Sequence, residues 1–326
     1  MSVKKVLIIK LGAIGDVIHT SIIPLAIKNQ HPDWTVHYMT SPTITPLLQN
    51  CSYIDKVITF DVRTEHPYIY LFNHIKDLIK ERYDYVFCLS LSLRLFALSF
   101  GALPKKVVFR GHKGNSWVEN YYYSAADAIN DLKLPERLVL ESDPVKREKV
   151  SKWMNQYPKP HIIFNPGFLT PIGRQGRVWP LEKWIELSKK LIEIYGGTIF
   201  VNCSPIEYDY QKPLVSDRVI FVPKENSLEE NTIVLSLGDI VISGDSGPIH
   251  IASAFDVNTL EILGATSPDD IRPYGPKGHY VEPDYECKYC WQKKCNRVEK
   301  PGTCTPCISS ITTDMVLAKI KECNLL

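Results

Sequence analysis

No stretch of this 326-residue chain stays apolar for the roughly 18 to 20 residues that a bilayer span needs; the run from Ile233 to Ile242 is short and broken by Asp239. A transmembrane helix is therefore not expected. Charge of one sign is also scarce, because 38 Lys and Arg face 36 Asp and Glu for a net charge of +2. That excludes a global field of the kind that draws nucleic acid, so electrostatic recognition has to be local. Three phosphate-handling signatures are absent as well. There is no G-x-x-x-x-G-K-[ST] loop, no D-x-D pair to hold Mg²⁺ on a nucleotide sugar, and no G-x-G-x-x-G. The second strand ends in Met39-Thr40-Ser41 without an acid for a ribose, which disfavours NAD and leaves a dehydrogenase as a distant reading.

Lys4 and Lys5 precede an apolar run as in a secretory signal, but Lys10 and Asp16 break it early and no small-residue cleavage site follows. The segment reads as a first β-strand of a cytoplasmic protein. In that compartment thiols stay reduced, so nine cysteines argue against a disulfide framework.

With 44% hydrophobic and 23% charged residues, the chain can bury one large or two medium cores. A β-branched run, Val3 to Leu11, meets glycine and is followed by helical spacing from Asp16 to Gln30. Strand-like runs recur at Val36–Met39, Lys56–Phe60, Tyr85–Leu89 and Val107–Phe109, with a helical pattern at Tyr68–Arg82. After a charged, proline-dotted connector, Leu134 to His161, the alternation restarts. Strands are expected at Ile162–Asn165, Thr198–Asn202, Val219–Val222, Asp239–Ser243 and Thr259–Leu263, with a helix at Leu181–Tyr195. Alternation of this kind predicts an α/β protein of two doubly wound, Rossmann-like domains, residues 1–155 and 156–326, with a cleft between them as the default site.

Three segments at strand ends carry chemistry. In Gly12-Ala-Ile-Gly15-Asp16 the glycines let backbone approach a ligand, and a helix N-terminus favours ionised Asp16; the plain alternative is an N-cap. In Ser243-Gly-Asp245-Ser246-Gly247-Pro-Ile-His250 the amides at a helix start suit a diphosphate, or else Asp245 and Ser246 cap the helix and His250 is a core histidine. In Asn165-Pro-Gly167 with Arg174, Arg177 and Trp179-Pro180, the Arg177 guanidinium fits a phosphoryl oxygen in two-point geometry, or the loop is solvated with its tryptophan packed down.

The G-x-x-G-D-x-x-x-T start, the R-x-W-P segment and the G-D-S-G-P-x-H element, in this order, resemble glycosyltransferase family 9, the ADP-heptose heptosyltransferases, from residue 3 to about residue 320. The resemblance implies a GT-B fold with acceptor bound mainly by the first domain and nucleotide sugar mainly by the second. It makes Asp16 the base, with Lys10 and Gly15 beside the site. Arg177 stands where family members commonly have a lysine on the donor phosphates. Asp245, Ser246 and Gly247 match the donor-binding D-[ST]-G, His250 follows one turn later, and Glu207 falls near an acid that approaches the nucleoside. Implied too are an inverting transfer from ADP-heptose without a catalytic cofactor, onto a lipid-linked or other surface-glycan acceptor of lipopolysaccharide core type. The place implied is the cytoplasm, at the inner face of its membrane, with peripheral contact and no nucleic acid.

Five cysteines, Cys287, Cys290, Cys295, Cys304 and Cys307, fall within 21 positions. The two C-x-x-C pairs, Cys287 with Cys290 and Cys304 with Cys307, have finger spacing for structural zinc or iron, with Cys295 as an alternative ligand. Free thiols or an occasional disulfide are the other reading. Protein-modifying autotransporter heptosyltransferases look similar in this respect, so a protein acceptor is an alternative, as is a non-catalytic nucleotide-sugar scaffold using the finger for assembly. Lys105, Lys106, Arg110, His112 and Lys113 form an acid-free basic stretch in the first domain, suited to acidic sugars or phosphate, or simply a solvated loop. Next to it, Trp117 and Tyr121 to Tyr123 offer rings on which a sugar could stack.

Overall fold

The computed structural model describes residues 3–65, 67–90, 92–111, 113–167, 177–287, 289–290, 295–298 and 304–326. The chain divides into two compact units, Met1–Glu141 and Ser142–Leu326.

The first unit opens with β1 (Lys5–Ile9), α1 (Ile14–Thr20) and α2 (Ile22–Gln30). The helical spacing from residue 16 to 30 is thus realised as two helices. Pro24 explains the break: it has no N–H for the Thr20 carbonyl, and its ring crowds that group. β2 (Thr35–Thr40), α3 (Thr45–Leu48), β3 (Lys56–Thr59), α4 (Pro67–Glu81), β4 (Tyr85–Cys88), α5 (Leu93–Gly101), β5 (Lys106–Phe109) and α6 (Trp117–Ala126) follow. The strands pair in parallel in the order β3-β2-β1-β4-β5. Helices α4 and α5 pack together, as do α1, α2 and α6. Leu7, Ile9, Val86 and Cys88 from the central strands meet Leu78 of α4 and Leu95 and Leu98 of α5 in one buried cluster. Strands covered in this way read as unbroken apolar runs, which is why β1 was legible in the sequence.

The second unit begins with α7 (Pro144–Met154), inside the stretch read as a connector. Lys146 pairs with Glu229, and the Arg147 guanidinium donates to Ser236 Oγ at 2.6 Å, so this helix is fastened to the second unit. Then come β6 (His161–Asn165), α8 (Leu181–Tyr195), β7 (Thr198–Val201), α9 (Tyr208–Gln211), β8 (Val219–Phe221), α10 (Leu228–Ser236) and β9 (Ile240–Gly244). α11 (Gly247–Ala254), β10 (Asn258–Ile262), α12 (Pro268–Ile271), β11 (Gly278–Val281), α13 (Pro306–Ser310) and α14 (Thr313–Glu322) complete it. Its sheet is again wholly parallel, in the order β11-β10-β9-β6-β7-β8. The apolar run Ile233 to Ile242 is the end of α10 and the start of β9, with Asp239 at the turn accepting from the His161 backbone N–H at 2.7 Å. Trp179 and Trp184 are wholly buried beside Phe164, Ile308 and Ile320, tying the carboxyl-terminal helices to the core.

No helix among the described residues is long and apolar enough to cross a membrane.

Candidate active site

In a parallel α/β sheet ligands bind outside the carboxyl ends of the strands, where loops turn into helices. Each unit gathers its polar side chains at that edge.

In the first unit the turn after β1 feeds α1, whose N-cap is Ala13, so Asp16 lies within the first turn and is not the cap. Its side chain is 41% exposed, with Oδ2 3.1 Å from Lys10 Nζ. Lys10 itself is buried. Its ammonium donates to the Tyr121 hydroxyl at 3.2 Å and the Leu89 carbonyl at 3.4 Å. Three N–H groups thus meet three acceptors, which is what a buried ammonium requires. Gly15 sits between Ile14 and Asp16 in the same turn, and Thr20 is buried with its hydroxyl on the Val17 carbonyl and Tyr38. His19, on the buried face of α1, has its pKa lowered to about 4 by burial and by Lys10.

Arg110, one residue past β5, holds its guanidinium 4.4 Å from the Trp117 ring and 5.9 Å from that of Tyr121. The rings expected to stack on sugar are therefore differently engaged. Tyr121 is wholly buried against Lys10, Tyr122 is buried with its hydroxyl on the Leu132 carbonyl, and Trp117 carries Arg110. Lys105 does not join them. It precedes β5 at the opposite edge of the sheet, paired with Asp84 at 2.6 Å, so the basic stretch is divided by the strand it contains. Lys113 pairs with Asp127, and His112 lies outside the described residues.

In the second unit the end of β9 delivers Gly244, Asp245 and Ser246 to α11. Ser246 occupies the N-cap position, but its side chain does not cap the helix. The hydroxyl turns inward instead, 3.0 Å from Ser243 Oγ and 3.3 Å from Asn165 Nδ2. The first-turn amides, Gly247 included, therefore receive no side-chain cap from it. Asp245 is nearly buried, with Oδ2 3.0 Å from Arg177 Nε and accepting from Thr266 Oγ1 at 2.9 Å. A Cβ at Gly244 would come within 2.6 Å of the Arg177 carbonyl oxygen, so glycine is what permits the arginine backbone to approach the strand end. Two residues on, Trp179 donates to the Ile311 carbonyl at 2.9 Å, anchoring the segment in the core. The packed tryptophan and the presented arginine are thus parts of one device; Arg174 lies outside the described residues.

His250 is buried one turn into α11. Glu207 precedes α9 beyond β7, and its Oε2 accepts from the Ser204 backbone N–H at 2.7 Å and the Ser204 hydroxyl at 2.9 Å. Gln211, in the same short helix, donates to the Gly167 carbonyl at 2.8 Å. Sequence reading passed over Thr266 and Glu261. Thr266 is four residues past the end of β10, a position that deserved weight, but its partner is 21 residues away.

The cysteine-rich stretch behaves differently from its spacing. None of the nine cysteines is in a disulfide. Among the described residues no three His, Cys, Asp or Glu side chains gather as a metal site would. Burial raises both thiols of the Cys304-Cys307 pair, with the charges of Glu182 and Lys183 acting on Cys304 and Cys290 and Cys295 acting on Cys307. As described, these residues do not gather the four thiolates that a structural finger needs. Burial pushes the Cys304 thiol up to about 11 and the Cys203 thiol up to about 12, so both stay protonated and neither is a nucleophile.

Two Rossmann-like units, each built on a wholly parallel sheet, are the plan of the GT-B fold. The chain belongs to glycosyltransferase family 9 (heptosyltransferase), whose family description matches residues 72–300. It is 24% identical over 300 residues to lipopolysaccharide heptosyltransferase 1 of Campylobacter coli, covering 80% of this chain and 84% of that protein. The same identity extends over 309 residues of lipopolysaccharide heptosyltransferase 2 of Salmonella typhimurium, 85% of this chain and 87% of the relative. Its fold is similar to that of a family 9 glycosyltransferase from Veillonella parvula, with TM-score 0.83, 16% identity and 99% and 98% of the two chains covered. It is similar also to E. coli heptosyltransferase WaaC with ADP, at TM-score 0.71, 20% identity and coverage of 98% and 99%. A third likeness, at TM-score 0.61 and 15% identity, is to the iron-containing dodecameric glycosyltransferase TibC from enterotoxigenic E. coli, with 99% of this chain and 76% of that one covered.

Proposed function

We propose that this glycosyltransferase moves a heptose from ADP-heptose, with inversion, onto a surface-glycan acceptor of lipopolysaccharide core type. The acceptor is lipid-linked, and the enzyme works in the cytoplasm at the inner face of the membrane. Asp16 takes the proton of the acceptor hydroxyl as the new glycosidic bond forms. Its half-exposed carboxylate, steadied from below by Lys10, is the observation that carries this reading. A fixed base of this kind contributes about 10² to 10⁴ in rate. Arg110, beyond the end of β5, meets acidic groups of the acceptor.

The departing diphosphate goes to the second unit. Arg177 and the first-turn amides of α11 at Ser246 and Gly247 neutralise it, with Asp245 orienting the guanidinium and His250 behind the turn; Glu207 approaches the nucleoside. The guanidinium donors and the amide dipoles at the start of α11 receive the leaving diphosphate, so transfer proceeds without a cofactor. The names of the relatives, lipopolysaccharide heptosyltransferases, and the ADP bound in the WaaC structure support the donor.

The test is a panel of nucleotide sugars scored by thermal stabilisation, then by transfer to a heptose-free lipopolysaccharide core. ADP-heptose stabilises by mass action and is consumed only with acceptor present. Stabilisation by a different nucleotide, or transfer to a protein acceptor alone, overturns the reading.

A further inference from the structure

Below the Asp245 loop lies a carboxyl that the proposed chemistry does not use. Glu261 of β10 stands in register with Ser243 of β9 and Tyr280 of β11, and Ser243 in turn with Asn165 of β6. Residues paired across a sheet share a face, so these four form one row. At its middle, Ser243 and Asn165 carry the hydroxyl of Ser246. Glu261 is wholly buried, and neither of its carboxyl oxygens has a hydrogen-bond partner. An ion in that position lacks the hydrogen bonds that a buried charge normally requires. Burial holds the group well above the usual carboxylate range, Asp245 adds to this, and Arg177 opposes it.

We propose that Glu261 is a positioning residue for the donor pocket: held neutral in its buried row, it adds no second negative charge beside Asp245, so the Asp245–Arg177 pair meets a nucleoside diphosphate without added repulsion. This rests on the reading that Arg177 and the α11 turn take that diphosphate. With Glu261 neutral, the charges of Asp245 and Arg177 cancel. Once Glu261 ionises, the three sum to one negative charge, which draws the guanidinium down and repels the anionic ligand. An added negative charge beside this pair weakens the binding of an anion, and a tenfold loss of affinity corresponds to about 1.4 kcal/mol. The titratable groups on elements around β10 are Asp245 after β9, Arg177 before α8, His250 on α11 and Tyr280 on β11. Of these, Asp245 and Arg177 act on Glu261.

The experiment is ADP affinity, measured by calorimetry on the full chain from about pH 6 to about pH 9.5, for wild type, Glu261→Gln and Glu261→Ala. In wild type, affinity declines about tenfold towards the alkaline end. Glutamine, isosteric and never charged, removes that decline, and alanine removes it too if charge rather than packing is responsible. Should alanine fail to fold, glutamine alone decides. A Glu261→Gln profile falling in parallel with wild type, or a flat wild-type profile, overturns the proposal while leaving the donor site in place. If ADP does not bind at any pH, the donor reading itself fails and takes this proposal with it.

Discussion

The Lys10 ammonium is buried and lies 3.1 Å from Oδ2 of an Asp16 side chain that is 41% exposed. One member of the pair is fixed by the core and the other reaches solvent, an asymmetry suited to a carboxylate that must face an acceptor without wandering. Replacing Asp16 with Asn keeps the shape and removes the base. Transfer should fall by about 10² to 10⁴, while ADP affinity, a property of the second unit, stays unchanged by calorimetry. Full turnover by Asp16→Asn would remove this residue from the mechanism.

Arg177 Nε lies 3.0 Å from Asp245 Oδ2, and its guanidinium is a planar fork rather than a point charge. Arg177→Lys keeps one positive charge but cannot hold Asp245 and a phosphoryl oxygen in the same geometry. ADP should bind about tenfold more weakly, a loss of about 1.4 kcal/mol, and Arg177→Ala more weakly still. Equal affinity of the lysine variant and wild type would show that only charge matters.

Gly244→Ala tests the backbone approach at the end of β9. Its new methyl meets the Arg177 carbonyl oxygen at 2.6 Å. Overpacking of this sort costs about 1 to 3 kcal/mol, to be seen as a lower urea midpoint, together with weakened ADP binding as the arginine is displaced. Unaltered stability and binding would mean that the strand end yields freely.

Stability should depend on pH through two buried groups of opposite sign. His19 is held down to about 4 from 6.5, first by burial and then by Lys10, so in that interval the unfolded chain binds more protons than the native one. Stability therefore falls as pH drops from 6.5 towards 4, and His19→Gln flattens that limb of the urea-midpoint profile. Glu261 is held above its ordinary 4.5, so the native state binds more protons once pH exceeds that value. Its contribution is full below 4.5 and is lost as pH rises through the raised value; Glu261→Gln removes the slope. Slopes identical to wild type in either variant contradict the assignment.

The strands at the centre of both sheets were legible because a strand covered on both faces must be apolar throughout, and runs such as Val6 to Ile9 and Ile240 to Ile242 are, whereas the edge strand β11, only partly buried, was not read. The glycine-and-aspartate turns were legible for a related reason, since a helix start that approaches a ligand needs particular residues next to one another in sequence. Helices α5, α6 and α14 were not read, because their buried positions are few and answer to neighbours far along the chain. Tyr121 illustrates the difficulty: as one of three tyrosines in a row it offered a ring for sugar, and only its burial against Lys10, 111 residues away, makes it an acceptor for an ammonium.

Sequence alone thus determined the α/β alternation and the carboxyl-edge loops on which Asp16, Arg177 and Asp245 stand, since each depends on short-range spacing. Tertiary structure decided what pairing across a sheet decides. It parted Lys105 from Arg110 by the length of a strand, turned the Ser246 hydroxyl inward, and set an unpartnered Glu261 one strand from Ser243. The physical reason is that burial and electrostatic neighbourhood are properties of position in space, and a parallel sheet makes neighbours of residues that the chain keeps far apart.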